Sequence, residues 1–260
     1  MNKTINFAKR NLKELLRDPL IYVFCLGFPI AMFCLFFFIN KYSGGNTPTF
    51  EVKSLTPGIM VFSYSFIMLT LALIVSKDRQ TFFLKRLYSS PMKDYDFILG
   101  YAIVGIIIGV LQTIICILTA FIIALISKVE FISFLNLLLL LTTNLPILIL
   151  NICLGILFGT AFNDKSAPGV CSAFISLSGI LGGCWMPLEI MGGFETFCKF
   201  LPFYPSVYLG RITAGATNAL NALYTFDGYA VVAIITIFAY MLASVILTIF
   251  TFKNNMVSDN

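Results

Sequence analysis

Lys77 to Tyr101 reads KDRQTFFLKRLYSSPMKDYDFILGY. Eight charged residues stand in it: Lys77, Asp78, Arg79, Lys85, Arg86, Lys93, Asp94 and Asp96. The run Thr56–Ser76 before it carries no charge, and neither does Phe97–Ile126 after it. A charged segment held between two such apolar runs is the pattern of a loop between membrane spans. The composition agrees, with 59% hydrophobic residues, 11% charged residues and 27 phenylalanines in 260 positions. A soluble domain carries about 25% charged residues to cover its surface. In lipid every backbone polar group must be satisfied within the fold, which leaves helices or a closed barrel. A barrel shows short alternating segments divided by turns, whereas these runs are continuous and about twenty residues or longer, the length of a spanning helix.

The expected fold is therefore an all-α integral membrane protein, one domain over residues 1–260 with six spans. These are Leu20–Ile39, Thr56–Ser76, Phe97–Ile126, Phe134–Phe162, Pro168–Met186 and Tyr229–Phe252. Pro146 lies inside the fourth and predicts a kink there, not an end, because both flanks stay apolar. Met1–Asp18 is too polar for the apolar core of a cleavable signal peptide, so none is expected.

Lys and Arg set the orientation. The N-terminal segment, the quoted loop, Lys165 and Lys253 together hold twelve of them, and the opposite loops hold five: Lys41, Lys53, Lys128, Lys199 and Arg211. Both termini and the quoted loop are expected in the cytoplasm. The net charge of +5 is this topology signal, and no nucleic-acid partner is expected from it.

Several chemistries are disfavoured. None of the six runs contains Asp, Glu, Lys or Arg, and the chain has no His. The intramembrane ionisable residues that ion-coupled carriers use as relays are missing from them, and so are the imidazoles of a His-Glu-x-x-His protease. Asp94-Tyr95-Asp96 reads as carboxylates at a helix start, where the dipole favours them, in preference to a metal pair. Seven cysteines show no C-x-x-C spacing; Cys184 and Cys198 both fall toward the outer side of the membrane, and their pairing is left open. The chain has no Gly-x-x-x-x-Gly-Lys-Ser/Thr loop. No catalytic, metal or cofactor site of its own is expected, and energy for transport would have to come from a partner gripping it from the cytoplasm.

Within the loop, Thr81–Ser89 predicts a short helix with Phe82, Phe83, Leu84 and Leu87 apolar and Lys85 and Arg86 charged. Pro91 stops it, and a new helix starts at Asp94 or Tyr95. Such an element either passes force from a docked partner into the membrane or anchors the spans.

Lys85-Arg86-Leu87-Tyr88-Ser89-Ser90-Pro91, followed by Phe97-Ile98-Leu99-Gly100-Tyr101, resembles the charged loop of ABC-2 type permeases, the membrane subunits of a class of ATP-driven exporters. Leu55-Thr56-Pro57-Gly58-Ile59 is similar to the Pro-Gly start of that family's second span. Gly182-Gly183-Cys184-Trp185-Met186-Pro187-Leu188-Glu189 resembles its small-residue run ending in an aromatic and Pro-Leu-Glu. Leu201-Pro202-Phe203-Tyr204-Pro205 with Arg211 resembles its Asn-Pro segment and trailing Arg. The four motifs occur in order over nearly the whole chain. There are departures: Phe82-Phe83 replaces the usual Gly-Thr, Lys85-Arg86 a pair that often begins with an acid, and Pro205 follows Tyr204 where Asn is usual.

The resemblance implies two permeases, a copy or a paralogue, with two cytoplasmic ABC ATPase subunits that carry ATP and Mg. It implies a coupling helix at Lys85, Arg86 and Leu87, and an amphipathic interfacial helix over residues 1–18. That helix has Ile5, Leu12, Leu15 and Leu16 on its apolar side and Lys9, Arg10 and Lys13 toward lipid phosphates. Phe62 and Phe66 with Phe174 are expected along an apolar central path. Trp185, expected to belong to the path or its gate as well, closes the fifth span at headgroup level. Ile190, Met191, Phe194, Phe197 and Phe200 then form one apolar side of an outer re-entrant segment between spans five and six, a gate in which Phe194 and Phe197 take part. Pro187–Asp227 is otherwise expected outside, without a strong span. Gly105–Gly109 and Gly155–Gly159 offer close helix approach, inside the bundle or at a dimer seam. The implied function is export across a bacterial cell membrane, of drugs, antibiotic peptides or lipid-like cargo. The contrasting class is a stand-alone polytopic protein, such as an immunity or lipid-interacting factor, without ATP coupling.

Overall fold

The apolar runs fold as helices in the computed structural model, which describes residues 2–42, 47–81 and 92–258. α1 is Asn2–Leu15, α2 Tyr22–Tyr42 with a π-helical start over Tyr22–Gly27, α3 Val52–Gln80 and α4 Asp94–Ser127. α5 is Phe134–Ala161, α6 Ala167–Leu181, α7 Gly193–Cys198, α8 Phe203–Ala214 and α9 Gly228–Ser258. No strand occurs among the described residues, apart from one isolated bridge between Thr217 and Leu223. α5 runs on through Pro146, as its apolar flanks predict.

Among the described residues five helices are long and apolar enough to cross a membrane: α2, α3, α4, α5 and α9. The expected fifth span, Pro168–Met186, is shorter than its hydropathy implies. Its helix stops at Leu181 after 15 residues, about 22 Å of rise against a hydrocarbon core of about 30 Å. Gly182 and Gly183 end it, the latter at φ +58°, where a side chain would be strained. Small apolar residues kept the run looking helical to its end, although two consecutive glycines favour a turn.

α3 is the axis. Its most apolar stretch is 89% buried within the molecule, against 22% for α2 and for α9. α5, α6, α4 and α8 pack around it. Glycines set the distances. A Cβ on Gly155 would stand 2.7 Å from the Met68 carbonyl oxygen, and one on Gly159 2.8 Å from that of Ala72. Gly105 faces Leu71 and Ile152, and Gly109 faces Leu148. Both Gly-x-x-x-Gly pairs are therefore spent inside the bundle. The Pro-Gly start of α3 has the same use, since Gly210 of α8 lies on Pro57 and the Cys184 carbonyl lies on Gly58.

α8 departs from the sequence reading, which placed it in an outer loop. Every residue from Phe203 to Arg211 is buried. Its polar groups find partners: Tyr204 donates to Glu195 at 3.0 Å, Tyr208 to Asp227 at 3.0 Å and Ser206 to the Pro202 carbonyl at 2.7 Å. Hydropathy counts such groups against burial; pairing removes most of that cost. All seven cysteines are free, Cys184 and Cys198 included.

The chain's course follows from contacts at the two ends of α3. Ser76 and Arg79, near its C-terminus, bond to Asp164 and the Thr160 carbonyl, where α5 ends and α6 is about to begin. Ser54, near its N-terminus, shares Arg211 with Gly183, just past the end of α6. The segment from Thr160 to Gly183, with α6 as its middle, thus runs from one end of α3 to the other. Phe252 near the end of α9 stacks at 6.5 Å on Phe97 at the start of α4, so the end of α9 lies beside α1 and the C-terminus of α3.

Candidate functional site

α1 docks on protein through a face that overlaps its expected apolar side only in part. Thr4, Phe7, Ala8, Asn11 and Leu15 are buried, at helical spacing. Of the expected apolar side, Leu15 is buried and Leu12 half-buried, whereas Ile5 and Leu16 are exposed. The Phe7 ring sits edge-on between Phe97 at 5.4 Å and Tyr101 at 5.0 Å. It lies over Gly100, where a Cβ would come within 2.4 Å of Phe7 Cδ1. The glycine of Leu99-Gly100-Tyr101 is thus the seat of α1 on α4.

Ionic contacts tie the same helix to α3. Arg10 Nη1 donates to Asp78 Oδ2 at 2.7 Å, and Arg10 Nη2 meets Glu14 at 2.8 Å. Glu14 in turn meets Lys77 at 3.2 Å. Asp78 is only 2% exposed and also accepts the Tyr101 hydroxyl at 2.8 Å. Burial by itself would lower the Arg10 pKa; the hydrogen bond and charge of Asp78 outweigh it and hold the guanidinium above its ordinary value. Thr4 donates to Asp96 at 2.7 Å, and Asp96 also accepts the Lys93 backbone N–H at 3.1 Å. The acidic pair at the start of α4 therefore includes a docking residue for α1. One short helix clamps the last turn of α3 and the first turns of α4, the two flanks of the charged loop. The expected coupling residues Lys85, Arg86 and Leu87 lie outside the described residues.

The aromatic residues expected along the path separate into groups. Phe62, Phe66 and Trp185 come together, with Phe62–Trp185 at 4.6 Å and Phe62–Phe66 at 5.5 Å. α2 covers them: Phe28 is 4.7 Å from Phe66, and Phe36 is 6.1 Å from Trp185. Gly179 gives the indole its room. Phe174 joins a second group with Phe158 at 5.7 Å and Phe203 at 5.4 Å. Phe194 and Phe197 stand apart on α7, 37% and 57% exposed, beside the exposed Ile190 and Phe200.

A second polar centre lies at the far end of α3. The Arg211 guanidinium, 1% exposed, donates to the Gly183 carbonyl at 2.8 Å, the Ser54 carbonyl at 3.4 Å and the Tyr224 hydroxyl at 3.3 Å. Glu189 lies 3.6 Å away and also accepts from Tyr224. Burial pushes the Tyr224 phenol up; the Arg211 charge opposes that shift in part.

The description of the ABC-2 type transporter family matches residues 3–214, from α1 to the end of α8, so the clamp and Arg211 both lie within it. The chain belongs to the ABC-2 type transporter family. No curated protein matches it. As an ABC-2 member it is a multi-pass membrane permease, the transport component that works with ABC ATPase subunits and is not itself an ATPase. Sequence reasoning had turned Arg10 of this permease toward lipid phosphates, whereas Asp78 and Glu14 engage it, and it had given Asp78 and Tyr101 no role. Asp78 was visible as a carboxylate directly after a spanning run, but its partners are 68 and 23 positions away.

Proposed function

We propose that this permease forms the translocation path of an exporter as a pair, copy with copy or with a paralogue. Two cytoplasmic ATPases, which hold ATP and Mg, drive it in a bacterial cell membrane, with both termini in the cytoplasm. The observation that carries the reading is the clamp. α1 binds both flanks of the loop with Lys85, Arg86 and Leu87, so a push on that loop is resisted at its two roots and passes into α3 and α4.

Six crossings are supported by the course of the chain. α9 ends beside α1, which requires an even number of traverses, and α6 with the turn after it supplies the sixth. Ser172, Ala173 and Ser176 form an exposed, small-residue face on α6, which suits close approach of a second permease. Phe62, Phe66, Phe174 and Trp185 give the interior an aromatic lining suited to amphipathic or hydrophobic cargo such as a drug, an antibiotic peptide or a lipid. The exposed apolar side of α7, with Phe194 and Phe197, supports an outer re-entrant gate.

The test is charge reversal at Lys85 and Arg86, with recovery of the ATPase and substrate-stimulated hydrolysis as readouts. The double variant inserts normally and loses both. Full recovery of complex and stimulation removes the coupling role.

A further inference from the structure

The clamp has a cavity of about 930 Å³ on one side, walled by α1, the start of α2 and the C-terminal half of α3. That is the size of a site for a small organic ligand. Its two halves differ in chemistry. Lys9 and Lys13, one turn apart on α1, and Arg17 in the turn after it line one side. None of the three makes an ion pair or side-chain hydrogen bond among the described residues, in contrast to Arg10 and Lys77, which are engaged by Asp78 and Glu14. The other side is apolar, with Phe24 of α2 and Leu69 and Leu73 of α3.

We infer that this cavity binds one anionic phospholipid, its phosphate held by Lys9, Lys13 and Arg17 and the start of an acyl chain laid along Phe24, Leu69 and Leu73. The charge asks for an anion, and free cations beside a spanning helix attract anionic headgroups. The apolar wall asks for a hydrocarbon attached to that anion; a free phosphate would leave it wet. The cations and the wall are contiguous, and α2 leaves the cavity as a spanning helix, so a lipid reaches both halves without leaving the bilayer. Arg10 and Glu14 also line the cavity, which makes the bound lipid a third support for α1 next to its seats on α3 and α4.

The experiment is native mass spectrometry of the full-length protein in detergent, titrated with phosphatidylglycerol, with phosphatidylcholine, or with phosphatidylglycerol and excess inorganic phosphate. One phosphatidylglycerol per chain is retained, phosphatidylcholine is not, and inorganic phosphate does not displace the lipid. At about five-fold per cation near an anionic headgroup, the triple variant Lys9→Gln, Lys13→Gln, Arg17→Gln binds on the order of 100-fold more weakly. Leu73→Trp, which fills the apolar half and keeps every cation, loses the lipid as well. This second variant serves even if the triple variant does not fold. Wild-type retention by either variant overturns the assignment. So does equal retention of phosphatidylcholine, or displacement by inorganic phosphate, which would make the site one for a soluble anion.

Discussion

The two ends of α3 are both fastened by a guanidinium and a carboxylate, but in different ways. At the C-terminal end, Arg10 comes from a separate surface helix and its side chain is 36% exposed. At the N-terminal end, Arg211 is 1% exposed and reaches two backbone carbonyls, a phenol and a carboxylate from within the bundle. A charge held in this second way is part of the fold, because removing it strands buried acceptors. In the first way only the guanidinium side is open to water; the buried Asp78 keeps the Tyr101 hydroxyl when Arg10 leaves, so the cost is smaller. One end of the permease is therefore held more loosely than the other, and the looser end flanks the charged loop.

The largest effect that separates the ends is expected at Arg211. Arg211→Ala leaves the Gly183 carbonyl without this donor and Glu189 without its counter-charge, and costs about 3–5 kcal/mol. Thermal unfolding of the purified protein reads this as a large drop or as failure to recover folded protein, unchanged by salt. A shift no larger than that of a surface variant would erase the contrast between the ends.

Gly100→Val comes next, since its side chain meets the Phe7 ring. The expected cost is about 1–3 kcal/mol, confined to α1, and hydrogen exchange should show faster exchange there while α5 and α8 keep their protection. Uniform loss of protection would mean that α1 is as integral as α8.

Arg10→Gln leaves Asp78 with the Tyr101 hydroxyl and costs about 1–2 kcal/mol. The gap between variant and wild type should narrow as salt is raised, because one partner is open to screening. A gap constant with salt would place the clamp in the same class as the Arg211 centre. The smallest effect belongs to Lys77→Gln. Its side chain is 60% exposed, and loss of such an ion pair costs less than about 0.5 kcal/mol. Loss of ATPase binding in this variant without loss of stability would show Lys77 to be a partner contact in its own right.

The sequence was most legible where a single physical quantity decides. Hydropathy over about twenty residues located α2, α3, α4, α5 and α9, because lipid requires long unbroken helices. It overran α6, where two glycines turn the chain within a run that stays apolar. It missed α8, because Tyr204, Tyr208 and Arg211 count as polar until their partners are known. The Gly-x-x-x-Gly pairs announced close packing but not against which helix; α3 is the answer for Gly155 and Gly159. The clamp was the least legible. Its residues include Asp78, Asp96 and Tyr101 of the charged stretch itself, yet only folding brings Thr4, Phe7 and Arg10 onto them.

The glycine contacts of α5 have a mechanical meaning. With Gly155 and Gly159 seated on the carbonyls of Met68 and Ala72, and Arg79 bonded to the carbonyl of Thr160, α3 and α5 bend as one strut with twice the cross-section of a single helix. The α5 side of that seam is bare backbone at both glycines, with Leu71 and Val75 of α3 lying directly on it. A displacement applied at Gln80 thus reaches Leu55, about 40 Å away along the helix, with little absorbed on the way.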